Sequence, residues 1–279
     1  MSRLTRDVWV EAHSYLRPLA QLCARVESLA TDVVAAHASP GLPAWDDYEN
    51  DFREGIPLLR SSAAAIDLEL AGNMTASLVG RVADSVDGTI RLEAAALAAE
   101  LRARPDAPRL VAAWLLGEET FDPAFAGLLR FLGWTATSQY LAPLVDAFGR
   151  WRDEERWHRK YCPTCGSAPA MAQLIGVDPG RQRFLSCGGC GSRWRYRRTQ
   201  CPFCENDSHR LAVLAVEGEA GLRIDYCEAC KGYLKTYDGQ GDEAVQLLDW
   251  TSIHLDLVAR DRGLERMAAS LYEVPGADC

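Results

Sequence analysis

Four Cys-x-x-Cys pairs, one layout used twice, constrain this chain more than any other feature. Cys162-Pro163-Thr164-Cys165 is followed after 21 residues by Cys187-Gly188-Gly189-Cys190. Cys201-Pro202-Phe203-Cys204 is followed after 22 residues by Cys227-Glu228-Ala229-Cys230. A CxxC turn lets two sulfurs reach one metal, with backbone N–H groups pointing at them. Proline after the first cysteine fixes φ. Glycine after the second, as at Gly166 and Gly191, permits the tight φ > 0 conformation. Two such knuckles supply the four sulfurs of a closed tetrahedral site, at about 2.3 Å from a zinc ion. A redox CxxC pair needs a βαβ context with a helix following the motif, and four pairs at two near-equal spacings fit metal better. The repeat groups 162/165/187/190 and 201/204/227/230. A cross-braced grouping, first pair with third and second with fourth, is the alternative. Neither site has an evident open position or a nearby histidine and carboxylate set for metal-water catalysis, so both read as structural or electron-transferring. Zinc and iron both take tetrahedral sulfur, and the CPxC knuckles describe a rubredoxin-like centre as well as a zinc ribbon.

The compartment supports metal over disulfides. The opening residues, MSRLTRDVWVE, carry two arginines but no apolar stretch after them, so no signal peptide is expected. No apolar run reaches the roughly 18 residues that a membrane span needs. The expected location is the cytoplasm, where thiols stay reduced. Charge separates the regions: residues 1–158 carry −8, 159–241 carry +4 and 242–279 carry −5. Eight thiolates around two divalent ions would bring the middle segment near neutral, unlike a basic nucleic-acid-binding module.

The first 158 residues read as a bundle of roughly six helices. Leu16, Leu19, Cys23, Val26, Leu29 and Val33 recur every three or four residues, which places Cys23 on a buried face. Ile90, Ala94, Leu97 and Leu101 repeat the pattern, as do Leu141, Leu144, Val145, Phe148 and Trp151. Breaks are predicted at Ser39-Pro40-Gly41, Gly55-Ile56-Pro57, Gly72-Asn73, Arg104-Pro105 and Asp122-Pro123. From Tyr161 the helical period stops, and short strands are predicted at 183–187, 193–197, 210–216, 222–226 and 232–237. Helix returns near Asp249, with Ile253, Leu257 and Val258 facing a core and Asp256 paired with Arg260 at i,i+4. Gly263 ends that helix before a last short one from Leu264 to Leu271. Cys279 reads as a free thiol on a loose tail.

The fold class expected is α+β. An N-terminal helical bundle (1–158) precedes two tandem four-cysteine modules with small antiparallel sheets (159–198 and 199–241), then C-terminal helices and a tail (242–279). Arg193-Trp194-Arg195-Tyr196-Arg197-Arg198 interleaves basic and aromatic residues, which could make a nucleic-acid surface. The simpler reading is a strand that buries Trp194 and Tyr196 and solvates its arginines. His158 reads as a boundary residue, and the face carrying His254 and Asp256 as ordinary helix surface. No GxGxxG, P-loop or GxSxG pattern occurs, so no nucleotide site or hydrolase elbow is expected.

The four knuckles with their flanks, Ser167-Ala168-Pro169, Leu185-Ser186, Ser192-Arg193-Trp194, Arg198-Thr199-Gln200 and Tyr233-Leu234-Lys235, closely resemble the formate dehydrogenase accessory protein family. His254-Leu255-Asp256-Leu257 and Gly263 are similar to it too, so the resemblance is dense over about 155–270. It implies a cytoplasmic, non-catalytic maturation factor that contacts the molybdenum-containing catalytic subunit of formate dehydrogenase before export. It also implies rubredoxin-like centres on all eight knuckle cysteines, with iron favoured and zinc the alternative. A rubredoxin-type electron carrier is the competing reading, a zinc-ribbon nucleic-acid binder a weaker one, and homodimerisation is left open.

Overall fold

Alanine and leucine dominate the first half of the chain, and they build helix. The computed structural model describes residues 6–64, 66–177, 179–219, 221–239, 249–268 and 271. Among these, the first half forms seven α-helices: α1 (Arg6–Ala12), α2 (Arg17–Val34), α3 (Trp45–Glu54), α4 (Leu68–Ser85), α5 (Thr89–Arg102), α6 (Ala107–Leu115) and α7 (Ala126–Trp151). α2 buries Cys23, Val26, Leu29 and Val33, the face its spacing predicts. α5 likewise buries Ala94, Leu97 and Leu101. Four of the five predicted breaks fall between helices; Gly72-Asn73 lies inside α4. A Cβ on Gly72 would stand 1.7 Å from the Pro108 carbonyl oxygen. Glycine there serves close approach of α4 to α6 rather than a chain break. α7 is the hub, buried on every side from Phe131 to Ser138. A helix apolar all round has no stripe to read, so its periodicity marks only the later half.

The cysteine-bearing half forms one sheet. Its strands are β1 (Met171–Ile175), β2 (Gln182–Ser186), β3 (Arg193–Tyr196), β4 (Leu211–Ala215), β5 (Leu222–Cys227), β6 (Gly232–Asp238) and the short β7 (Glu265–Arg266). β1–β2–β3 and β4–β5–β6 are each antiparallel. The two are not separate small sheets. β1 pairs parallel with β6, Met171 opposite Lys235, which fuses them in the order β3-β2-β1-β6-β5-β4. Sequence patterning misses β1 because Met171 to Leu174 are all buried, and a strand covered on both faces shows no alternation.

The C-terminal segment corrects three expectations. Residues 249–251 are helical and lead to α8 (Ile253–Asp261). α8 buries Leu255 and Ala259, while Leu257 is 37 % exposed, and only Ile253 and Val258 of the predicted core residues pack on apolar neighbours. The described part of the expected helix from Leu264 contains β7, whose Glu265 N–H donates to the Lys231 carbonyl at 2.9 Å. Pairing with the free end of β6 satisfies backbone groups that a short isolated helix would leave to water.

The third correction is Asp256. It does not face Arg260; it turns inward, accepting from Tyr233 Oη at 2.7 Å, Lys235 Nζ at 2.7 Å and Arg266 Nη1 at 3.0 Å. Lys235 also reaches Asp249 Oδ1 at 2.8 Å, and Arg266 Nη2 lies 2.8 Å from both Asp249 oxygens. A buried lysine and a half-buried arginine win over an exposed arginine, because attraction strengthens where water is excluded. The Cys279 expectation lies outside the described residues.

Candidate metal centres

Each knuckle is held by the same backbone bond. The N–H of the residue after the second cysteine donates to the carbonyl of the first: Gly166 to Cys162 (2.9 Å), Gly191 to Cys187 (3.2 Å), Glu205 to Cys201 (3.1 Å) and Lys231 to Cys227 (2.8 Å). Closing that turn needs positive φ, found at Gly166 (82°) and Gly191 (76°). Glu205 and Lys231 adopt it too, both at 62°, without glycine's freedom. Amide donors point at the first sulfur: the N–H of Thr164 lies 3.4 Å from Cys162 Sγ, and that of Phe203 3.4 Å from Cys201 Sγ.

The knuckles meet in sequence order, not cross-braced. Cys162, Cys165, Cys187 and Cys190 form one cluster and Cys201, Cys204, Cys227 and Cys230 the other, each with all sulfurs within 4.8 Å of one another. A tetrahedral ion at about 2.3 Å from each sulfur sets sulfur–sulfur separations near 3.8 Å. The second cluster shows 3.8 Å for Cys201–Cys230 and 3.7 Å for Cys204–Cys227. The first shows 3.5 Å for Cys162–Cys190 and for Cys165–Cys187. Both donor sets fit a four-coordinate thiophilic ion, so the two clusters could hold two metal ions.

Electrostatics favours a cation in each. In the first cluster, hydrogen bonding from Cys162, Cys187 and Cys190 holds the Cys165 thiol low. Sharing with Cys162 and Cys165 pushes Cys187 up, and burial pushes Cys190 up. Four sulfurs packed this closely ionise together only around a positive charge. In the second cluster burial opposes ionisation of Cys204, but the Asn206 backbone and side-chain N–H groups outweigh it and bring the thiol down to about 6. Burial takes Cys230 up to about 12.

The centres differ in surroundings. All four sulfur residues of the first are buried; in the second Cys204 is exposed and Cys230 half-buried. The first centre is sewn into the helices. Leu58 and Leu59 N–H groups donate to the Pro163 and Thr164 carbonyls at 2.9 and 2.8 Å. A Cβ on Gly189 would meet Trp134 of α7 at 2.7 Å. Around the sulfurs, Ser167 Oγ lies 3.3 Å from Cys165 Sγ, Ser192 Oγ lies 3.3 Å from Cys190 Sγ, and Thr164 Oγ1 is 2.6 Å from Ser192 Oγ. Sequence reasoning overlooked these hydroxyls, although Ser167 and Ser192 share one offset from their knuckles.

The arginine-rich strand follows its simpler reading in its aromatics but not in all its arginines: Arg197 and Arg198 are exposed, while Arg193 and Arg195 are half-buried. Trp194 and Tyr196 are buried, with the Trp194 indole donating to the Arg159 carbonyl at 3.1 Å. Arg195 pairs with Glu155, and its backbone N–H donates to Glu154 Oε1 at 2.6 Å. That face is a seam to the end of the helical half. His158 is exposed.

Comparison with known proteins adds to this geometry. Residues 161–198 match the family model for the FdhE central domain. A protein FdhE homolog of Pseudomonas aeruginosa is 34% identical over 193 residues, 64% of this chain and 60% of the relative. Protein FdhE of Escherichia coli K12 is 31% identical over 148 residues, 51% of this chain and 47% of the relative. The aligned stretches thus span about half to three-fifths of these relatives. The crystal structure of the FdhE protein from Pseudomonas aeruginosa superposes with a TM-score of 0.65 and 22% identity, covering 99% of both chains, a likeness of fold. The knuckle sequences and the fold thus agree in their likeness to FdhE proteins, densest over the FdhE central domain at 161–198.

Proposed function

We propose that this protein is a cytoplasmic, non-catalytic accessory factor for formate dehydrogenase, binding its molybdenum-containing catalytic subunit before export. The eight knuckle cysteines are the ligands of two metal ions, with iron favoured over zinc. The observation that carries the reading is the pair of preassembled four-cysteine clusters in a chain similar to FdhE proteins. The units 1–158, 159–198, 199–241 and 242–279 would share the work: helices and first module as scaffold, second module at the surface. Among the described residues no helix is long and apolar enough to cross a membrane. The bound ions would supply structural cross-linking of the sheet ends. The chain itself supplies eight thiolates, the amide donors that stabilise them, and the packing that keeps water from the first cluster.

The test is an anaerobic pull-down from the native cell with metal counted in the same sample. Recovery of the formate dehydrogenase catalytic subunit, lost on replacing Cys201 and Cys204 by serine, supports the reading. Two metals per chain with no such subunit recovered refutes the accessory role. A second reading, electron transfer through the second centre, is favoured by the exposure of Cys204 beside the half-buried Cys230. It requires iron that cycles reversibly, and stoichiometric zinc after anaerobic purification excludes it.

A further inference from the structure

Three chemistry-bearing residues far apart in the sequence meet away from both cysteine clusters. His13 precedes α2, Glu219 lies in the β4–β5 connection and His254 sits in the first turn of α8. Their ligating atoms all fall within 4.8 Å of one another. His13 Nε2 is 3.2 Å from Glu219 Oε1, and His254 Nε2 is 2.7 Å from the same oxygen. The two imidazoles stack with centroids 5.6 Å apart and planes 23° from parallel. The side chains are 10–23 % exposed, so the cluster is shielded yet reachable from solvent.

We propose that His13, Glu219 and His254 form a third metal site, of two imidazoles and one carboxylate, for a divalent transition ion. Two nitrogens and one oxygen suit borderline ions such as zinc, cobalt or ferrous iron, unlike the all-sulfur clusters. Ligand bonds of about 2.0–2.2 Å at tetrahedral or octahedral angles place donors about 3.0–3.4 Å apart. The His13–Glu219 separation already fits, and the His254–Glu219 pair needs to open by about 0.3 Å.

Two details point to an ion rather than to a hydrogen-bonded trio. His13 Nε2 and His254 Nε2 converge on the one oxygen, Glu219 Oε1, from two separate elements, an arrangement of donors around a shared point that a bound cation would fill. The other nitrogen of His254, Nδ1, is 3.3 Å from Tyr15 Oη. With Nε2 given to a metal, Nδ1 carries the proton and donates to the Tyr15 oxygen, the outer contact that fixes a ligating imidazole's orientation. Three ligands leave at least one coordination position for water or a partner's side chain. The site would clasp the N-terminal helices to the second module and α8, independently of the two cysteine centres.

The experiment starts from protein with both cysteine clusters loaded with zinc. Cobalt is then added and total metal counted after equilibrium dialysis. The expected result is one further ion per chain, with weak visible bands and without the strong near-ultraviolet thiolate charge-transfer absorption of a cysteine-bound cobalt. His13→Gln and His254→Gln should each lose that ion while keeping two zinc ions and the native far-UV circular dichroism. Tyr15→Phe keeps all three ligands and should bind more weakly but still bind. If a histidine variant also loses its zinc, the wild-type chain decides through diethylpyrocarbonate labelling. Metal should protect His13 and His254 together and leave His158 and His209 reactive. No third ion in the wild type, unaltered binding in the folded histidine variants, or labelling of His13 and His254 that ignores metal overturns the proposal.

Discussion

A single backbone angle divides the four knuckles. Gly191 holds φ at 76° with nothing within 4 Å of where a Cβ would sit, so Gly191→Ala tests conformational strain free of steric clash. Lys231 holds 62° with an exposed side chain, so Lys231→Gly tests the reverse. Left-handed backbone costs a residue with a Cβ roughly 1–2 kcal/mol. Gly191→Ala should therefore weaken metal retention at the first centre by about five- to thirtyfold, and Lys231→Gly should tighten it at the second by a comparable factor. Competition against a chromophoric chelator reads both; equal retention in the two variants would show that the knuckle angle does not limit affinity. The grouping of the eight knuckle cysteines into two clusters was legible because a knuckle is a local structure and the repeat spacing pairs the knuckles in order. The partners of Asp256 were not. Tyr233 and Lys235 come from a strand beyond an intervening segment, and Arg266 from a predicted helix that is in fact β7.

At the level of elements, the strand ladder and the buried charges join what the sequence presents as separate pieces. Apart from the fully buried β1, the antiparallel strands of each module follow from alternation and short connections. The parallel β1–β6 pairing is long-range, with 63 residues from Met171 to the start of its partner segment at Lys235 left free to choose another edge. Beside that junction Lys235 is 1 % exposed and bridges Asp249 and Asp256. Removing one member of a buried charge network while leaving the rest costs about 3–5 kcal/mol, so Lys235→Met should lower thermal stability sharply. A fall of the size typical for an exposed pair would show the network to be dispensable. Acid should act at the same place. Burial opposes the Asp249 carboxylate, but Arg266 and Lys235 outweigh it and hold its pKa down at about 2, against 3.8 ordinarily. Its folded value is depressed, so its contribution is full above about pH 4 and disappears as pH falls through about 2. Asp249→Asn should be less stable at neutral pH yet lose less between about pH 4 and 2 than the parent. Taking the difference between the two proteins cancels acid release of metal, which both share. Parallel acid limbs would assign the stability loss elsewhere.

Over the whole molecule, the two centres stand in different mechanical positions. The first lies in the apolar core that also holds α2, α4 and α7, and its knuckles bond to the Leu58–Leu59 backbone and press Gly189 on Trp134. The second projects Cys204 to solvent. A ligand exchange at an exposed thiolate needs no opening of the fold, whereas one at a buried cluster waits for local unfolding. Chelator challenge should thus remove the ions in two phases. The fast one belongs to the second centre, leaves the helical circular dichroism unchanged, and vanishes in the Cys201→Ser, Cys204→Ser variant. The slow one should follow the unfolding of the helical half, because stripping that ion leaves four sulfurs in a core that has no other use for them. Trp134→Ala offers the decisive contrast. It leaves every ligand in place but opens a cavity against Gly189, a loss of about 3–5 kcal/mol for a buried tryptophan. The slow phase should then accelerate by more than tenfold while the fast phase keeps its rate. If both phases accelerate together, the sheet transmits strain from one centre to the other across β1 and β6, and the two ions stabilise a single cooperative unit.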